Sequence, residues 1–73
     1  MTHADLSLPR LRALRMLMAL GPCTDKVLEL GMKRAYGTPD STVRGARNWL
    51  VKHGGAKCVG RTKGRRPRRL WQA

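Results

Sequence analysis

The chain has 73 residues, of which 16 are Lys or Arg and only 4 are Asp or Glu, so its net charge is +12 near neutral pH. This length makes one domain with a small core and excludes a cleft between two domains, while an apolar fraction of 41% is that of a folded chain and not of a disordered basic peptide. From position 41 onward there are ten basic residues and no acidic one, a polarised charge that indicates nucleic acid first, and an anionic membrane second, as the class of partner.

The first predicted element is a helix that begins at Ser7, whose hydroxyl can cap free backbone amides. Pro9 falls in its first turn, where a missing N–H costs nothing, and Gly21-Pro22 ends it. We expect residues 1–6 to form a flexible N-terminus. Four apolar residues recur at helical spacing and are predicted to face the core: Leu11, Leu14, Leu17 and Met18.

A second helix is predicted from the cap Thr24 to about Tyr36, with Asp25 in the first turn, where the helix dipole favours a negative charge. Gly37 should stop it. Gly31 permits the close approach of another helix. The face predicted to be buried consists of Leu28, Met32 and Ala35.

The third predicted helix spans residues 38–53, with Thr38 as its cap, Pro39 at its first position and Asp40 in its first turn. Gly54-Gly55 should end it. The apolar arc of this helix, and so its predicted core face, is Val43, Ala46, Trp49 and Leu50. The outward face is Ser41, Arg44, Gly45, Asn48 and Lys52, with Arg47 at its edge.

Residues 56–71 predict a basic hairpin. Weak strand character over 56–61 precedes a turn that contains Gly64 and Pro67, and a short returning strand follows. We expect Cys58 to face the core from the first of these strands, and Trp71 to be a core residue.

Three helices followed by a basic hairpin resemble the winged helix-turn-helix family of DNA-binding domains. The resemblance is most specific over residues 36–50, YGTPDSTVRGARNWL, where Gly37 and Val43 stand six apart, as the family's turn requires. The glycine allows a sharp turn, and the valine fills the angle between the two helices. The chain departs from the family at Lys33 and Arg47, where a small and an apolar residue are common.

The resemblance implies that residues 1–73 form a single domain, mainly α with a small β-hairpin, in the three-helix winged arrangement. It also implies that helix 38–53 enters the major groove of duplex DNA, where Arg44 would read guanine and Asn48 adenine, while the basic wing 57–69 lies on the minor groove or backbone. Expected contacts on the helix are Ser41, Thr42, Arg44, Arg47, Asn48 and Lys52. Expected contacts on the wing are Lys57, Arg61, Lys63, Arg65, Arg66, Arg68 and Arg69. The implied function is sequence-specific regulation of transcription, and the small size resembles regulators of phages and mobile elements.

Two other functions stay open. Small basic proteins of ribonucleoprotein particles have the same charge excess, although no row of exposed aromatic residues for stacking unpaired bases is predicted. The domain could instead be an adaptor whose second helix docks a partner protein, which would leave Gly31 and Met32 exposed. Monomer and homodimer also both stay open.

Catalysis and metal binding are not expected. The candidate metal ligands, which are His3, Cys23, His53 and Cys58, lack the paired short spacing of zinc sites, and the scattered acids and histidines offer no nucleophile with a base beside it. We therefore expect no enzyme, no cofactor and no small-molecule ligand. Two cysteines without a recognisable secretory signal predict free thiols, and no apolar stretch is long enough to span a bilayer. The expected location is the cytoplasm, in association with the nucleoid and not with a membrane.

Overall fold

The computed structural model describes residues 7–73, so the segment 1–6, which is predicted to be flexible, lies outside the described residues. Three helices precede a two-stranded antiparallel sheet, which confirms the prediction of a mainly α fold with a small hairpin. In chain order the elements are α1 (Leu8–Leu20), α2 (Asp25–Tyr36), α3 (Asp40–Lys52), β1 (Lys57–Arg61) and β2 (Arg69–Gln72).

The first two helices begin and end where their caps predict. Ser7 precedes α1, although its hydroxyl makes no capping hydrogen bond. At the start of α2 the Thr24 hydroxyl accepts a hydrogen bond from the backbone N–H of Val27 at 3.4 Å. Gly37 ends α2 in the left-handed conformation, with φ of 67°, which a residue without a Cβ adopts at low cost.

The predicted start of α3 is wrong by one residue. The helix begins at Asp40 with Pro39 as the residue before it, and Thr38 does not cap it. Thr38 is buried, and its backbone N–H donates to the Met32 carbonyl at 3.5 Å. The residue therefore completes the end of α2, after the left-handed Gly37.

One core joins all three helices to the sheet. Its buried members are Ala13, Leu17, Cys23, Leu28, Met32, Val43, Ala46, Leu50, Ala56 and Trp71. Two of the core residues predicted on the helices are instead exposed: Met18, at 69%, and Ala35. The buried stripe of α1 is centred on Ala13 and Leu17, which turns Met18 to the outside. Trp49 is half-buried and packs against the edge of the core.

Helices α1 and α2 pack closely at Gly31. A Cβ atom at this position would lie 3.2 Å from the Met16 sulfur, so the absence of a side chain sets how near α1 can come. Met32 is fully buried, and the exposure that the adaptor hypothesis requires of it is not found. Val27 and Leu30, on the same helix, remain about half exposed.

The hairpin contains a bulge and has an inner and an outer strand. Cys58 pairs with Trp71 and Gly60 with Leu70, which leaves Val59 as the extra residue on β1. The prediction that Cys58 faces the core is wrong, because this residue is exposed. The strand β1 is the outer one, and only β2 lies against the helices, so Trp71 reaches the core and its partner on β1 does not.

A third chain segment extends the sheet by one residue. The backbone N–H of Cys23 donates to the Trp71 carbonyl at 3.0 Å, and the N–H of Trp71 donates to the Cys23 carbonyl at 2.7 Å. This bridge joins the corner between α1 and α2 to β2. Burial, with a smaller contribution from the charge of Asp25, raises the pKa of the Cys23 thiol, so the side chain stays protonated there.

Candidate nucleic-acid interface

An open groove of about 670 Å³ lies between α2, α3 and the hairpin. Its border combines two carboxylates of α2, side chains of α3, and two arginines of the hairpin, one just before β2 and one at its first position. These include Asp25, Glu29, Arg44, Asn48, Arg68 and Arg69. The groove thus brings residues from both halves of the predicted interface to one place.

The outward face of α3 is largely as predicted. Five of the six predicted contact residues on this helix are exposed: Ser41, Thr42, Arg44, Asn48 and Lys52. Of these, Arg44 and Asn48 border the groove. The sixth residue, Arg47, is half-buried.

Arg44 is held by a carboxylate of the neighbouring helix. Its Nε donates to Glu29 Oε1 at 2.6 Å. The arginine side chain is 65% exposed, whereas the glutamate side chain is only 11% exposed. The hydrogen bond, together with the attraction of the same carboxylate, raises the pKa of the Arg44 guanidinium further above its already high value. The guanidinium is therefore permanently charged and partly fixed while most of it faces solvent.

Arg47 makes more contacts than Arg44, and its side chain points towards the body of the protein. Its Nε and Nη2 donate to the two carboxylate oxygens of Asp25 at 2.8 and 3.1 Å. Its Cζ atom lies 4.2 Å from the centre of the Trp71 ring, and its side chain is 14% exposed. Arg47 therefore links α3 to both α2 and β2.

The seven basic residues predicted on the wing are all exposed: Lys57, Arg61, Lys63, Arg65, Arg66, Arg68 and Arg69. Over residues 7–73, neither of the two salt bridges found involves the hairpin. Two hydrogen bonds between Thr62 and Arg68 close the base of its turn. The Thr62 N–H donates to the Arg68 carbonyl at 2.8 Å, and the Arg68 N–H donates to the Thr62 hydroxyl at 3.0 Å. Sequence reasoning missed Thr62, which holds the loop together without carrying charge.

Another side chain lies against the ring of each of the three aromatic residues of the chain. Arg10 lies over Trp49 at 4.3 Å from the ring centre, and His53 stacks on the same ring at 4.2 Å. Trp71 is buried, and Arg12 lies over Tyr36 at 4.7 Å. Trp49 is half-buried and Tyr36 is 40% exposed with Arg12 over one face of its ring, so the three side chains do not form a row of free stacking surfaces.

Two further observations concern the described part of the chain only. Within residues 7–73 there is no group of three or more His, Cys, Asp or Glu side chains that would hold a metal ion, and His3 lies outside these residues. No helix there is both long and apolar enough to cross a membrane. Both cysteines are free thiols, as predicted.

Comparison of the chain with models of protein families, with curated proteins and with solved structures found no match.

Proposed function

We propose that the protein is a winged helix-turn-helix domain that binds duplex DNA in a sequence-specific way and acts as a small regulator of transcription. One observation carries this proposal: Arg44 and Asn48 of α3 border the same groove as Arg68 and Arg69 of the hairpin. A single surface therefore combines side chains that can read base edges with charge that can bind phosphate.

In this proposal α3 lies in the major groove and the hairpin lies on the adjacent minor groove or backbone. Arg44 would donate two hydrogen bonds to guanine, and Asn48 would pair with adenine. Ser41 and Thr42, in the first turn of α3, would contact phosphate. If the basic side chains neutralise about five to eight phosphates, the affinity falls with salt at a log-log slope of about −5 to −7.

Gly45 supports a close approach of the ligand to α3. It lies on the exposed face of the helix, and nothing comes within 4 Å of where its Cβ would be. A glycine inside a helix costs about 1 kcal/mol relative to alanine, and no packing contact requires one here. A nucleic-acid surface pressed against the helix supplies a reason for this cost.

Duplex DNA is favoured over single-stranded RNA as the ligand. Sequence-specific recognition of RNA relies on stacking unpaired bases against aromatic rings, and the aromatic rings of this chain are already packed against Arg10, Arg12, Arg47 and His53. A regulator that binds duplex DNA would work in the cytoplasm, on the nucleoid.

Selection from a random duplex library, run in parallel with a single-stranded RNA library, tests this proposal. We expect a short motif to be enriched from the duplex library alone. A palindromic motif would indicate a homodimer and a single half-site a monomer. Enrichment from the RNA library only, or a salt slope shallower than about −2, would contradict the proposal.

A further inference from the structure

The two groove arginines of α3 differ in how many nitrogens they use in their ion pairs. Arg47 engages Asp25 side-on, with Nε and Nη2 both donating, and its ring contact with Trp71 covers one face of the guanidinium. Arg44 engages Glu29 through Nε alone. Among the described residues, no hydrogen-bond partner is found for the two terminal nitrogens of Arg44.

Those terminal nitrogens are a pair of donors suited to a guanine. The O6 and N7 atoms of guanine accept two parallel hydrogen bonds from an arginine. An arginine loses conformational entropy when it is ordered, and one that is already held before binding loses less. The Glu29 carboxylate fixes the Nε end of Arg44 and leaves the terminal nitrogens at the groove.

Glu29 itself is fixed more firmly than the arginine it holds. Its side chain is 11% exposed, on the buried side of α2, whereas that of Arg44 is 65% exposed. The carboxylate also brings negative charge to the border of a groove that would receive DNA, so it disfavours phosphates that approach in a wrong register. Both effects favour discrimination over general affinity.

We propose that Glu29 is a positioning residue that directs Arg44 towards guanine and so sets the preference for a G·C pair at the position facing this arginine. This inference rests on the proposed binding to duplex DNA. Arg47 has a different task, which is to hold the hairpin against α3, and it is no longer among the expected DNA contacts of the helix.

The test compares the intact protein with Glu29→Gln, Arg44→Ala and the double variant. The base pair that faces Arg44 is the one in the selected site at which Arg44→Ala lowers discrimination, by about tenfold, between G·C and A·T duplexes. We expect Glu29→Gln to lower discrimination at that same pair by roughly threefold to tenfold and to have no further effect in the Arg44→Ala background. Its affinity for unrelated duplexes should be unchanged or higher.

Asp40→Asn is the matched control, because it removes the same charge from an exposed acid in the first turn of α3 that does not border the groove. It should leave discrimination at every position unchanged. A second readout needs no DNA. The Arg44 Nε–Hε signal in proton-nitrogen NMR spectra should report an ordered side chain in the intact protein and a side chain that moves freely in Glu29→Gln. Circular dichroism checks that each variant is folded.

The outcomes separate the two proposals. If the intact protein binds no duplex, the proposed function fails, and the inference fails with it. If the intact protein discriminates and Glu29→Gln does so equally well at the Arg44 pair, only the inference is overturned. An equal loss of discrimination at all positions would also overturn it, since a positioning residue acts through its own arginine.

Discussion

The face of α3 and the hairpin are both strongly basic, but within residues 7–73 the arginines of α3 are paired with carboxylates and the basic residues of the hairpin are not. Carboxylates of α2 pair with both arginines of the helix, whereas no salt bridge is found for the exposed basic residues of the hairpin in the described part of the chain. Paired arginines have a defined position, which sequence recognition needs. Unpaired ones remain free to neutralise phosphates along any duplex. The number of charges alone would not separate these roles.

The largest expected effect comes from the hairpin. Replacing Lys63, Arg65 and Arg66 in its turn by Gln should weaken binding about a hundredfold at physiological salt, because about three phosphate contacts are lost. The loss should be similar for all duplexes, and the salt slope should become shallower by about 3. Fluorescence anisotropy over a series of salt concentrations measures both quantities.

The matched control for this variant replaces Arg15, Lys33 and Arg34 by Gln. These residues are exposed on α1 and α2 and do not border the groove, and the change in net charge is the same. Affinity should fall by less than about threefold. An equal fall in both triple variants would mean that overall charge, and not the hairpin, holds the duplex.

The next effect concerns stability and separates the two arginines of α3. Arg47→Ala should lower the free energy of unfolding by about 2 kcal/mol, because it leaves Asp25 unpaired and uncovers the Trp71 ring. Arg44→Ala should lower it by a smaller amount, because this side chain is mostly exposed and covers no aromatic ring, although its loss leaves the nearly buried Glu29 carboxylate unpaired. Urea unfolding followed by circular dichroism compares them, and equal losses would show that the two ion pairs are equivalent.

A smaller effect has opposite signs for folding and for binding. Gly45→Ala should raise the free energy of unfolding by about 0.5 to 1 kcal/mol, because the position is helical and unobstructed. The same change should weaken duplex binding about fivefold if DNA approaches the helix there. Gly31→Ala is the control, since its Cβ would crowd the Met16 sulfur at 3.2 Å and should stabilise the fold less, while the position does not border the groove. Unchanged binding by the alanine variant at position 45 would place the ligand elsewhere.

The smallest effect compares the two thiols. At pH 8 iodoacetamide should modify the exposed Cys58 and leave Cys23 nearly unmodified, because burial raises the pKa of Cys23 and blocks access. The neutral buried thiol contributes stability that is complete below the ordinary thiol pKa and is lost as the pH rises through the raised one. Mass spectrometry of the labelled protein identifies the site, and comparable labelling of both cysteines would mean that the corner between α1 and α2 opens readily.

The sequence predicts the parts of this structure that depend on neighbours along the chain. Helix α2 begins after Thr24 and ends at Gly37 as predicted, because a cap and a left-handed turn act locally. The error at Thr38 arose because its N–H serves the preceding helix, and the error at Cys58 arose because local pattern does not say which strand of a hairpin is the outer one. For Cys58 the deciding contact lies elsewhere in the fold, whereas Thr38 belongs to the end of α2 through a hydrogen bond that spans only six residues.

The candidate site also combines features that the sequence predicts with features that depend on distant contacts. The exposed positions of α3 follow from helical periodicity, so Arg44 and Asn48 were predictable as outward residues. The electrostatic partners of Arg44 and Arg47 were not, since Glu29 and Asp25 stand 15 and 22 positions before the arginines that they bind. Only the crossing of α2 and α3 brings these charges together.

The hydrogen bonds between Cys23 and Trp71 have a consequence for folding kinetics. Helices and a hairpin form from local contacts within microseconds, but this bridge joins the corner between α1 and α2 to the last strand and must close a long loop. Non-local contacts of this kind form late. We expect substitutions around the bridge to accelerate unfolding more than they slow folding. The hairpin would then be the last element to dock on the helices and the first to detach from them.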